Sequence, residues 1–175
     1  SVGAVWHQPS PETMCKKEMC MNNQTDYSLL LAQLAALTDS ERDTIANLAN
    51  ASAALYMELC DINWAGFYLV RDSQLVLGPF QGKPACLRIA FGTGVCGTAA
   101  ATGAVQVVPD VHQFPGHIAC DAASRSEIVV PLRRAGELVA VLDIDSPLPG
   151  RFTQEDREGR ERCAALLEQA CDWRI

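Results

Sequence analysis

Residues 127–147 read EIVVPLRRAGELVAVLDIDSP, two apolar segments of strand length separated by Ala135 and Gly136. β-Branched and aliphatic residues suit a pleated strand, and a connection this short joins antiparallel neighbours. Pro131 and the charges of Arg133, Arg134 and Glu137 break the run, so it does not form a membrane span. A hairpin is therefore predicted, and the rest of the chain has to supply its neighbours and its cover.

Upstream, Leu30, Leu34 and Leu37 recur at helical spacing after Asp26 and stop at the cap-forming TDS. Ser40 with Asp43 resembles a capping box for a second helix whose inner face is Ile45, Leu48, Ser52, Leu55 and Leu59. From Asn63 the period changes to two. NWAGFYLV predicts a strand with Trp64, Gly66 and Tyr68 on one face and Ala65, Phe67 and Leu69 on the other. RDSQ turns it into LVLGPF, and ACLRIA and AVQVV are further strands on either side of a short helix from about Val95 to Ala101. Residues 110–126 carry no usable period, as expected of a binding loop, and Thr153 caps a closing helix through Cys163, Leu166, Leu167 and Ala170. Helices, then a mostly antiparallel sheet, then a helix is the pattern of an α+β domain.

The 175 residues fit one such domain, and 49% hydrophobic with 20% charged residues is ordinary globular composition. A net charge of -7 offers no clustered cations for a phosphate backbone, so nucleic acid is excluded as a partner, and no apolar run is long enough for a membrane. Residues 1–20 lack the pattern of a signal peptide and read as a flexible extension before a domain at 21–175. A cytoplasmic, reducing setting follows as the expectation. Eight cysteines there act as thiols, metal ligands or redox groups rather than a disulfide framework. Cys60, Cys163 and Cys171 lie in helical patterns and read as small buried hydrophobes, while Cys15 and Cys20 fall in the extension.

Three motifs carry chemistry. GTGVCG matches G-x-G-x-x-G, but a dinucleotide site needs a parallel crossover and a longer helix, so a tight turn at a helix start is preferred; its free N–H groups could receive a carboxylate. His117 and Cys120, with Cys86, Cys96 and His112, raise the possibility of zinc, against which stands the lack of a C-x-x-C or H-x-x-x-H hook; no metal or cofactor is expected. In VLDIDSP, Asp143 and Asp145 point to one strand face about 7 Å apart, continuing from Val139 and Val141, and Glu127 opens the partner strand. Such carboxylates can simply emerge into water at a strand end. In a closed site they raise one another's pKa, so that one can donate a proton and another hold an ammonium group. Cys96, at a helix N-terminus, is expected to have a lowered thiol pKa.

Taken in order, DINWAGFYLV, LVLGPFQGKPAC, GVCGTA, DVHQFPGHIACDAASRSEIVVPL and AVLDIDSP resemble the free methionine-(R)-sulfoxide reductases, which are GAF-domain enzymes. The resemblance implies a central antiparallel sheet of about six strands with helices packed against it. It implies Cys120 as nucleophile, Cys86 as resolving cysteine and Cys96 as a further redox thiol, with Cys96 the alternative nucleophile. Trp64 and Tyr68 would wall the substrate pocket, and Glu127, Asp143 and Asp145 would bind the ammonium and supply the proton. Thioredoxin is the implied reductant, and a homodimer is compatible with this reading. Thr93 stands where the family often has a basic residue, and residues 1–20 match nothing in it. The competing class is a GAF sensor module that binds a small molecule without turnover.

Overall fold

The computed structural model describes residues 25–116 and 122–174. The predicted extension, His117 and Cys120 lie outside the described residues.

Helix α1 spans Tyr27–Thr38, and Asp26 caps it by accepting the Ser28 and Leu29 N–H groups. Helix α2 spans Thr44–Glu58 and is capped by Asp43, which accepts the Ala46 N–H. The cap is thus three residues later than the predicted Ser40. Glu41 explains the shift, because its carboxylate takes the N–H groups of Arg42 and Asp43 and holds that stretch out of the helix. Leu37 and Ile45, read as inward positions, are exposed.

The strands are β1 Trp64–Arg71, β2 Gln74–Gly82, β3 Arg88–Ala90, β4 Gln106–Val108, β5 Ser126–Arg134 and β6 Glu137–Ser146. Helix α3, Gly94–Thr102, lies between β3 and β4, and α4, Gln154–Ala170, closes the chain. The strands form one antiparallel sheet in the order β3-β2-β1-β6-β5-β4. Two three-stranded meanders therefore meet along the pairing of β1 with β6, and the expected α+β domain with a six-stranded sheet is what forms.

Period-two alternation sorts the strand residues onto two faces. Ala65, Phe67 and Leu69 join Ile128, Leu142 and Ile144 under α1, α2 and α4. Trp64 and Tyr68 join Val129, Val141 and Ile89 under α3. The sequence reading of β1 holds residue by residue. It fails at Val139, which packs on the first face. Register passes from Leu132–Ala140 to Arg133–Leu138, leaving Val139 as the extra residue of a bulge and reversing the alternation there. A second shift, between Gly66 and Tyr68, puts the extra residue in β2 beside Pro79, which has no N–H for the ladder.

The first face also buries charge. Asp156 accepts from Arg151 Nη1 at 2.8 Å, from Arg160 Nη1 at 2.9 Å and from the Tyr27 hydroxyl at 2.7 Å. It also completes a capping box with Thr153 at the start of α4. Both guanidinium groups lie over the Phe152 ring, at 5.8 Å from Arg151 and 5.0 Å from Arg160, and Arg160 is 0% exposed. Burial alone would push Asp156 up; Arg160 and the hydrogen bonds overcome it and hold the carboxyl well below its usual range.

Cys163 and Cys171 are buried thiols, as read, and burial pushes both up to about 11. Cys60 differs. It is buried beyond the end of α2 but disulfide-bonded, so the inert-thiol reading is corrected. None of the described helices is long and apolar enough to cross a membrane.

Candidate active site

The site lies on the second face, where three adjacent strands bring their ends together. Trp64 on β1 is opposite Asp145 on β6, Gly66 is opposite Asp143, and Glu127 on β5 is opposite Asp145 from the other side. Alternation then turns the side chains of Trp64, Asp143, Asp145 and Glu127 to one face, with Tyr68 in line behind Trp64. Helix α3 crosses that face and brings Cys96 onto it. A single cavity is lined by Trp64, Tyr68, Val95, Cys96, Glu127, Asp143 and Asp145, with Lys83, Ile89 and Ser124 around them.

One wall is aromatic. Trp64 stacks on Tyr68 with centroids 5.9 Å apart and on Phe80 at 5.3 Å, and its indole N–H donates to the Lys83 carbonyl at 3.1 Å. Gly66 makes this packing possible: a Cβ there would lie 2.3 Å from Phe80 Cβ and 2.7 Å from the Trp64 ring. The ring is thus fixed by contacts on both sides.

The other wall is acidic and mostly dry. Glu127 and Asp143 are 7% and 6% exposed, Asp145 is half-buried, and the Cys96 thiol donates to Glu127 Oε1 at 3.8 Å. Asp143 does not emerge into water, and Asp145 does so only in part. Burial first, then the charges of Asp143 and Asp145, pushes Glu127 well above the carboxylate range. Burial raises Asp143 to about 6, against hydrogen bonds from Cys96 and Glu127 that draw it down. Burial and the Asp143 and Glu127 carboxylates push the Cys96 thiol well up, opposite to the expectation from its helix position. A helix N-terminus is worth about 1 kcal/mol; loss of hydration beside like charges outweighs it. Burial likewise holds the Tyr68 hydroxyl protonated beyond its ordinary range.

Cys86 follows Ala85 on the cavity rim, is half-buried, and is disulfide-bonded. The structure therefore gathers Trp64, Tyr68, Cys96, Glu127, Asp143 and Asp145 around one space with Cys86 at its edge, and Cys120 lies outside the described residues. His112 is exposed on a 3-10 turn, Val111–Gln113. Among the described residues, one trio has ligand atoms close enough to share a metal ion, and it is Cys96, Glu127 and Asp143.

The glycine motif has a packing role. Gly97 lies so close to β3 that a Cβ would be 2.4 Å from the Ala90 carbonyl, and its own carbonyl accepts the Gly92 N–H at 2.7 Å. With an antiparallel sheet below it, the loop cannot be a dinucleotide fingerprint. Thr93 makes no side-chain cap, so the first N–H groups of α3 are left without one, and Thr93, Gly94 and Val95 line the cavity. Sequence reasoning missed Phe80 and Ser124. Phe80 was accessible through its strand register with Gly66; Ser124, held by the Asn63 side-chain amide at 3.0 Å, lies in a stretch without a period.

The GAF domain family matches residues 30–171. The free methionine-R-sulfoxide reductase of Escherichia coli K12 is 56% identical over 149 residues, covering 85% of this chain and 90% of that one. Of solved structures, reduced fRMsr of Staphylococcus aureus superposes with a TM-score of 0.83 at 51% identity, covering 85% and 96% of the two chains. Free methionine-R-sulfoxide reductase of Neisseria meningitidis, in complex with its substrate, gives 0.80 at 41% identity, covering 95% and 94%. With its six-stranded sheet, its cavity between aromatic and carboxylate walls, and this likeness over nearly the whole described fold, the chain belongs to the free methionine-R-sulfoxide reductases within the GAF-domain family.

Proposed function

We propose that the protein reduces free L-methionine-(R)-sulfoxide to methionine. The observation that supports this most is the pairing of an aromatic wall with a buried carboxyl, Glu127, that burial and its acidic neighbours hold well above the ordinary carboxylate range. Trp64 and Tyr68 take the methyl group and side chain. Asp143 and Asp145, once ionised, hold the ammonium, and the N–H groups at the start of α3 take the carboxylate. Glu127 is the proton donor, because a carboxyl held far above its ordinary pKa remains an acid where the reaction runs.

In this reading the Cys120 thiolate attacks the sulfoxide sulfur while Glu127 protonates the oxygen. The S–O bond of the substrate breaks as the hydroxyl passes from its sulfur to Cys120 Sγ; methionine leaves with its sulfur lone pair restored, and Cys120 is left as a sulfenic acid. The Cys86 thiol displaces that oxygen as water and forms a disulfide, which an external dithiol reduces by exchange. Thioredoxin in a cytoplasmic setting fits that role. Cys96, protonated and buried, is a poor first nucleophile.

The test compares free methionine-(R)-sulfoxide with its N-acetylated, C-amidated form, which has neither charge. We expect turnover of the free compound alone, no activity in Cys120→Ser even in excess dithiothreitol, and a loss of about a hundredfold in Glu127→Gln. Equal kcat/KM for the free and blocked substrates would refute the closed, charge-reading pocket, and full activity in Cys120→Ser would refute the assigned nucleophile.

A further inference from the structure

Cys96, Glu127 and Asp143 come from α3, β5 and β6, so three separate elements fix their positions. One ligand atom from each lies within 4.8 Å of the others, and the Cys96 Sγ to Glu127 Oε1 separation is 3.8 Å. Bonds of about 2.0–2.3 Å to a tetrahedral ion place neighbouring ligand atoms roughly 3.3–3.8 Å apart. Cys96 and Glu127 are thus already at the upper end of that spacing, and closing the trio on an ion needs side-chain movements of about 1 Å at most. A second observation points the same way: Oδ1 of Asp143 is buried and has no hydrogen-bond partner among the described residues. A buried carboxylate oxygen without a donor is costly, and a cation beside it would remove that cost. The charged neighbours that act on Cys96 are Asp143, Glu127 and Asp145, all acidic.

The donor set selects the ion. One thiolate with two carboxylates is too soft for magnesium and too small in ligand number for calcium, and it suits zinc, with a fourth position left open. We propose that the reduced protein binds one zinc ion on Cys96 Sγ and one oxygen each of Glu127 and Asp143, with the fourth position facing the cavity. On binding, the Cys96 S–H proton and any proton on the carboxyls pass to solvent, Zn–S and Zn–O bonds form, and no atom changes oxidation state. The ion takes the carboxylates assigned above to the substrate's ammonium and proton. Zinc and substrate then exclude each other; this half rests on the proposed function, whereas the binding does not.

Cobalt(II) is the probe, titrated into the reduced full-length chain, because a thiolate-to-cobalt band in the near ultraviolet reports sulfur ligation. One equivalent and a strong band are expected. The band disappears in Cys96→Ser and persists in Cys86→Ser and Cys120→Ser. Zinc affinity by calorimetry falls at least about tenfold in Asp143→Asn and in Glu127→Gln. On the unmodified protein, which removes any question of misfolded variants, saturating methionine raises the apparent zinc Kd at least about tenfold. A band that survives Cys96→Ser, or vanishes in Cys86→Ser or Cys120→Ser, places the metal on other thiols and overturns the site. No stoichiometric binding overturns it as well. Unchanged zinc affinity in methionine overturns the exclusion. Binding at the trio in a protein that does not reduce methionine sulfoxide would leave the site standing and remove the reductase reading.

Discussion

Behind the sheet, Asp156 lies between Arg151 and Arg160; in front of it, Glu127 and Asp143 face each other and a thiol. Both groups are buried, and the difference is in the company each carboxyl keeps. Asp156 receives charged donors on both oxygens, so its ionised form is the stable one. Asp143 and Glu127 have acids and a thiol for neighbours, so burial favours their protonated forms. The first arrangement holds α4 against α1 through Tyr27. The second favours a bound proton beside the cavity.

The largest expected effect comes from removing the anion behind the sheet. Asp156→Ala leaves two buried guanidinium groups uncompensated, and a loss of about 3–5 kcal/mol is expected from urea unfolding. A loss below about 1 kcal/mol would mean that the network is only incidental to stability. In front of the sheet the sign reverses. Asp143 titrates near 3.8 in the unfolded chain and near 6 when folded. Between those values the folded state holds the extra proton, so this group's contribution falls as pH rises from 3.8 to 6 and stays low above. Asp143→Asn should then gain about 1–3 kcal/mol over the parent at pH ~8 and little at pH ~3.5. Equal midpoints at both pH values would show that Asp143 is not strained. Asp156 runs the other way, its contribution present above the ordinary carboxyl pKa and lost in acid. The smallest effect is expected one turn from Arg160: Arg157 and Glu161 form a half-exposed i,i+4 pair at 3.3 Å, and Arg157→Ala should move stability by less than about 0.5 kcal/mol.

The comparison also explains what the sequence discloses. The strand faces of β1, the Ala135–Gly136 hairpin and the carboxylates of VLDIDSP are local patterns, and they are legible because a period of two needs no partner to be seen. Three features depend on residues far away in the chain. Val139 leaves its face only because of how β5 pairs with β6. The Cys96 thiol is raised because Glu127 and Asp143 arrive from later strands, so reasoning from its helix alone gave the wrong direction. The network behind the sheet joins Tyr27 at the first helix to Asp156 and Arg160 at the last, with nothing in either stretch to announce the other. Cys60 sits in a helical pattern like Cys163, yet one is cross-linked and the other free.

The pairing of β1 with β6 has a consequence for how the pocket comes into being. The aromatic wall belongs to the early meander and the carboxylates to the late one, and only this pairing brings Trp64 beside Asp145 and Gly66 beside Asp143. Within each meander the paired strands are neighbours in sequence, but the seam between the two joins β1 to β6 across most of the chain, the slower event in folding. Neither half holds a pocket alone. During synthesis the aromatic wall emerges well before its carboxylates, and the newborn chain cannot engage a substrate until the hairpin that ends in Asp145 has docked.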